Sequence, residues 1–91
     1  MITAIVMIQA QNSRIPETAQ ALADTAGVAE VYSCAGDVDL IAIVRVRDHA
    51  QIAEVVTSGI DKVDGVVRTT THIAFKSYSS ADVEAGFSLG E

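Results

Sequence analysis

Apolar and polar positions along this chain alternate with a period of two, then of about 3.6, then of two again, and that sequence of periods repeats. From Met1 to Ala10, Ile2, Ala4, Val6 and Ile8 share one parity and Thr3, Ile5, Met7 and Gln9 the other, as in a strand. Gln11 to Arg14 is a polar connector. Pro16 suits the first turn of a helix, where its missing N–H costs no hydrogen bond, and Glu17 favours the positive end. Ile15, Ala19, Leu22, Ala23 and Ala26 form a helical stripe, and Gly27 stands where a left-handed cap ends a helix. Val28 to Cys34 and Val38 to Arg47, rich in β-branched residues, read as the second and third strands. Between them Gly36-Asp37 predicts a two-residue hairpin. Asp48 and Gln51 have capping-box spacing. The helix they open carries Ile52, Val55, Val56, Ile60 and Val63 on one stripe. Gly59 inside it weakens the helix and predicts a close approach by a neighbour. Gly65 ends the helix. Val66 to Ser77 reads as the fourth strand, with Val67, Ile73 and Phe75 on one parity.

Gly27-Val28 recurs as Gly65-Val66, 38 residues further on (65 − 27), each time joining a helix to a strand. The order strand-helix-strand, twice over, predicts an α+β fold of the ferredoxin-like split βαβ kind (βαββαβ). It is a four-stranded antiparallel sheet with both helices on one face, the first and third strands central. A chain of 91 residues makes one domain, read here as 1-78, followed by a small-residue tail, 79-91. The tail's Phe87 and Leu89 lie two apart, as on one face of a short strand, so it is read either as docking on a neighbouring subunit or as a frayed terminus. Helices can cover only one face of the sheet, yet the first and third strands offer apolar side chains to both. The hydrophobic fraction is 49%. The second face is therefore expected to be buried against another subunit's sheet.

Charge and composition narrow the function. Twelve acidic residues against six basic leave a net charge of −6, which opposes phosphate backbones and argues against autonomous nucleic-acid binding. A single cysteine, Cys34, allows no internal disulfide and fits a reducing cytoplasm. It reads as a small buried hydrophobe. No apolar run reaches the ~18 residues of a membrane span, and the first strand lacks the basic flank of a signal peptide. His49 and His72 sit on different elements, with no His/Cys/carboxylate spacing of a metal site, and there is no glycine-rich phosphate loop. No cofactor is expected. Arg45, Arg47 and Arg68 read as solvated or interface charges.

Two groups of residues have the chemistry of a site. Asp37 and Asp39 offer acceptors for an ammonium, and a tight turn leaves N–H groups at Gly36 and Val38 to donate to a carboxylate. Thr69, Thr70 and Thr71 offer hydroxyls. The same residues have plainer readings: Asp37 is a good turn former, Asp39 a solvated strand end, and threonine a good strand residue.

Gly27-Val28 leading into Glu30-Val31-Tyr32, then Gly36-Asp37-Val38-Asp39-Leu40, then Gly65-Val66 followed by Thr69 and Thr71, resembles the effector-binding domain of the Lrp/AsnC (feast/famine) regulators. There a G-x-x-D-hydrophobic hairpin follows the second strand and a G-V-x-x-T-x-T pattern opens the fourth. The resemblance covers Met1 to about Ser77 and is closest to stand-alone members without a helix-turn-helix domain. It implies a dimer of face-packed sheets that assembles into octamers or decamers. It implies a small effector, usually an amino acid, held between dimers by Gly36, Asp37, Val38, Asp39, Thr69 and Thr71. It also implies a regulatory role without catalysis, acting through full-length regulators as partners. Three other readings share the element order: an ACT-type regulatory domain, a dimeric α+β barrel enzyme using His72 or Tyr32, and a ligand-free adaptor.

Overall fold

The computed structural model describes residues 1–80; the expectation for the tail's Phe87 and Leu89 lies outside them. Strand β1 (Ile2–Ala10) is followed by a 3-10 turn and helix α1 (Ile15–Ala23). Strands β2 (Val28–Ser33) and β3 (Leu40–Val46) come next, then helix α2 (His49–Glu54) and strand β4 (Val66–Ile73). The sheet order is β2-β3-β1-β4 and every pairing is antiparallel, the split βαβ arrangement expected. Ala4, Val6 and Ile8 of β1 lie opposite Val44, Ala42 and Leu40 of β3, and all six are fully buried under the helices. Leu22, Ile52 and Ile60 supply the helical side of the core, with Ile15, Ala19, Val55, Val56 and Val63 packed around it. No helix among the described residues is long and apolar enough to cross a membrane.

The expected boundaries move where local hydrogen bonding overrides pattern. Helix α1 stops at Ala23, four residues before Gly27. The Asp24 and Thr25 N–H groups turn back onto Gln20 and Leu22, and Ala23 and Ala26 are left out of the core. Beside Leu22 the helix buries Thr18, whose hydroxyl donates to the Asp64 carbonyl at 3.1 Å. The capping box forms as expected: Asp48 accepts from the Gln51 N–H, and the Gln51 side chain returns to the Asp48 N–H. Helix α2 then widens into a π segment, Val55–Gly59, and tightens into a 3-10 turn, Ile60–Lys62. Gly59 lies at the junction, where a β-carbon would stand 2.7 Å from Thr25 Cγ2, so the close approach is real. In β4 a bulge opposite Gln9 and Ala10 turns Val66 into the core and leaves Val67 exposed, which breaks the expected parity. The strand ends at Ile73, before the expected Ser77.

The two halves brace each other through their glycines. Gly27 and Gly65 have φ of +92° and +95°, the left-handed region that side chains avoid. A β-carbon on Gly27, after α1, would strike Val55 of the second helix; one on Gly65, after the second helix, would strike Thr18 of α1. Their carbonyls accept from Arg45 and Gln11 N–H at 3.1 and 2.8 Å. The repeat read in the sequence is thus a reciprocal packing of each helix on the other's exit.

Candidate functional site

The β2–β3 connection is longer than the expected two-residue turn. Ser33 pairs with Leu40, and the Cys34 N–H closes onto the Asp39 carbonyl at 2.9 Å, so Ala35 to Val38 form the tip. Gly36 alone in it has a positive φ, +124°; Asp37 does not adopt the left-handed conformation a two-residue type I′ turn would need. The N–H groups of Gly36, Asp37 and Val38 make no backbone hydrogen bond among the described residues. Cys34 is half-buried at the sheet edge, not in the core, with its Sγ 3.7 Å from the Tyr32 carbonyl.

Central strand β1 holds this loop down. The Asp39 N–H donates to the Ile8 carbonyl at 3.0 Å, and the Asp39 carboxylate accepts from the Ala10 N–H at 2.9 Å. Asp39 therefore serves the fold at the point where the β1–β3 ladder ends at Ile8 and Leu40 and the Ala10 N–H, on that side of β1, has no further strand residue to meet. The Asp39→Ala variant is expected to lose about 1.5–3 kcal/mol of stability, the range for a hydrogen bond to a charged group. Chemical denaturation with an unchanged midpoint would contradict this. Asp37 is the freer carboxylate: its carbonyl accepts from Gln9 Nε2 at 3.3 Å, and its side chain has no hydrogen-bond partner among the described residues.

Thr69 and Thr71 pair with Ile8 and Val6, so they project to the helix side. Thr69 Oγ1 donates to Asp61 Oδ1 at 3.1 Å; Thr71 is exposed. The hairpin and these threonines sit at the same end of the sheet with β1 between them, roughly 10 Å apart by two strand spacings. One chain does not bring the two sets into contact. Gln9 and Arg68, which motif and spacing do not single out as ligand groups, link the hairpin to β4 on the opposite face of the sheet. Gln9 gives its amide N–H to the Asp37 carbonyl and takes a 3.1 Å hydrogen bond from Arg68 Nη2 on its amide oxygen. The one available signal was register: Gln9 ends β1 on the face opposite the core. This end of the sheet thus offers a carboxylate, three loop N–H groups and a guanidinium.

The Lrp/AsnC ligand binding domain model matches residues 3–83. The chain belongs to this family. An uncharacterized HTH-type transcriptional regulator of Pyrococcus horikoshii is 33% identical over 75 residues, which are 82% of this chain and 50% of that protein. The chain spans about half the length of the curated relatives it matches. A solved protein of Thermus thermophilus is 44% identical with a TM-score of 0.81, covering 87% of this chain and 99% of that one. A transcriptional regulator of Neisseria meningitidis, solved as its L-Met complex, shares the fold at 14% identity and a TM-score of 0.76, covering 86% of this chain and 52% of that one.

On this Lrp/AsnC domain the sheet face away from the helices is apolar at its centre. Ile5 and Met7 of β1 lie beside Ile43 and Ile41 of β3, all half-buried. A polar rim surrounds them. Tyr32 donates to Glu30 at 2.6 Å and Arg45 reaches the same carboxylate at 3.3 Å. The tyrosine hydroxyl first, then the guanidinium, hold Glu30 below its ordinary value; the same bond to Glu30 holds the Tyr32 phenol above its own. His72 lies opposite Ile5 on β4. Tyr32 is on β2, at the other edge of the sheet. The two residues an enzyme reading would use are thus three strand spacings apart, roughly 14 Å.

Proposed function

We propose that this chain is a ligand-sensing regulatory domain that binds an amino acid at the hairpin end of its sheet and neither binds DNA itself nor catalyses a reaction. The observation that carries the reading is the chemistry gathered there. Asp37 is a carboxylate that the fold does not use, and an α-ammonium needs an acceptor of that kind. The N–H groups of Gly36 to Val38 and the Arg68 guanidinium are donors of the kind an α-carboxylate needs. The family's description as a ligand-binding domain agrees with it. The complex of the Neisseria meningitidis regulator with L-Met gives an amino acid as the first ligand class to try.

The assembly belongs to the same proposal. Two copies pack open face to open face over Ile5, Met7, Ile41 and Ile43, and dimers join into a ring of eight or ten. Thr69 and Thr71 of a neighbouring copy then complete the site that one chain leaves open. Binding and assembly are linked, each strengthening the other. The domain works in the cytoplasm, through longer HTH-type regulators with which it co-assembles. Its net charge of −6 supports a role without direct DNA contact.

A thermal-shift screen against the common amino acids tests this reading. A ligand at 100 times its dissociation constant adds about 2.7 kcal/mol, which in a domain of this size raises the melting temperature by about 10–20 °C. A screen in which no amino acid moves the transition would overturn it. A gel-shift assay with duplex DNA at physiological salt is expected to show no complex; sub-micromolar binding would contradict the DNA-free role.

A further inference from the structure

The end of the sheet farthest from the hairpin carries a knob and a hole side by side. After β4 the Ala74 N–H makes one last ladder bond to the Thr3 carbonyl at 2.9 Å. The chain then runs on without regular structure. Phe75 is 100% exposed and Tyr78 81%, and the Lys76 ammonium lies 5.2 Å from the centre of the Tyr78 ring. The arm, Ala74 to Ser77, lines one side of a groove of about 630 Å³ that Met1, Thr3, Ile5, Ile43 and Arg45 complete. The Phe75 ring does not fill that groove, since all of it faces solvent.

We infer that the Phe75 arm of each chain inserts into the Thr3–Ile5–Ile43 groove of a second copy, so that two exchanged arms lock the dimer. This rests on the open-face dimer proposed above and goes beyond it. A two-fold interface buries the same patch on both copies, so the patch must contain both halves of its own contact. Here one stretch carries a bare aromatic ring and an unfilled groove with apolar floor residues. The groove also merges with the apolar centre of the open face, because Ile5 and Ile43 belong to both. A second copy of this chain is therefore an occupant whose shape and chemistry are already present. Large exposed aromatics next to a contiguous apolar patch are the mark of an interface.

Sedimentation velocity on the full chain and its Phe75→Ala variant tests the inference. The wild type is expected to be dimeric or larger at micromolar concentration. Each exchange buries two rings per dimer, so the variant is expected to dissociate with a constant raised on the order of 100-fold or more. The ring is fully exposed within one chain, so the variant keeps its fold, which its circular dichroism should reproduce. A variant that dimerises as tightly as wild type overturns the arm exchange and leaves the open-face dimer standing; a monomeric wild type overturns both. Cross-linking gives a second reading, in a Cys34→Ser background. Chains carrying Ser77→Cys on the arm are mixed with chains carrying Thr3→Cys in the groove. A covalent dimer of the two different chains is expected on oxidation. A mixture that sediments as dimer yet gives no such band contradicts the exchange.

Discussion

Gly65→Ala is expected to lower the melting temperature by about 10–45 °C, at about 4–8 °C per kcal/mol for a domain of this size. Two separate costs add. The backbone there has φ of +95°, and forcing a side chain into that region costs about 1–3 kcal/mol. The new β-carbon would also strike the Thr18 hydroxyl, which is only 1% exposed and donates to the Asp64 carbonyl. Displacing it strands a buried polar group, worth about 1–3 kcal/mol. Non-additivity is therefore expected: Thr18→Ala removes the oxygen that collides, so the double variant should be more stable than the two single losses sum to. Gly36→Ala is the control. Its φ is +124° but nothing stands within 4 Å of the added carbon, so only the backbone cost applies. Thermal unfolding of the four variants decides it, and equal losses at Gly65 and Gly36 would contradict the packing argument.

Ile43→Asp is expected to weaken self-association by about 1,000-fold or more. Ile43 lies between Ile5 on β1 and Glu30 on β2, at the middle of the open face. In one chain it is half-exposed, so a carboxylate there stays hydrated and the fold tolerates it. In a face-packed dimer the same carboxylate loses its water, while Arg45, the cation nearest on that face, is already held by Glu30, itself a like charge opposite position 43. Stranding a charge in that way costs several kcal/mol, and each 1.4 kcal/mol is tenfold in affinity. Sedimentation equilibrium is the measurement. A variant as dimeric as wild type would move the interface elsewhere.

Much of the fold was legible because its signals are local and redundant. The period of β1, the Asp48–Gln51 capping box and the two Gly-Val junctions each fix one element, and together they leave a single topology. What was not legible depends on contacts distant in sequence. Thr18 is buried with its hydroxyl donating to the Asp64 carbonyl, 46 residues away, and nothing near Thr18 records that. Val66 and Val67 exchange roles at a bulge set by the pairing of β4 with Gln9 and Ala10 of β1, more than fifty residues away in the chain. The hairpin looked two residues wide because Gly36-Asp37 is good turn chemistry. The strands in fact separate earlier, since Asp39 is hydrogen-bonded to Ile8 and Ala10 of β1 and the Asp37 carbonyl to Gln9.

The candidate site divides along the same line. Asp37 was legible as an uncommitted turn carboxylate. Asp39 looked equivalent in sequence and is not, because only the fold reveals the Ala10 N–H it serves. Gln9 and Arg68 belong to no motif; their side chains meet across 59 residues through the pairing of β1 with β4. Thr69 and Thr71 sit on the other side of the sheet from that bridge, which is why the proposed site takes them from a neighbouring copy.

Calorimetric titration of the amino acid that gives the largest thermal shift, into wild type and into Asp37→Asn, tests the ligand-binding account most directly. Asp37 has no part in the core, so the variant should melt where the wild type does. Losing a charge-assisted hydrogen bond to the ammonium is expected to weaken binding by about 1.5–3 kcal/mol, roughly 10- to 150-fold. Wild-type affinity in the variant, or no heat of binding from any amino acid in the wild type, would contradict it.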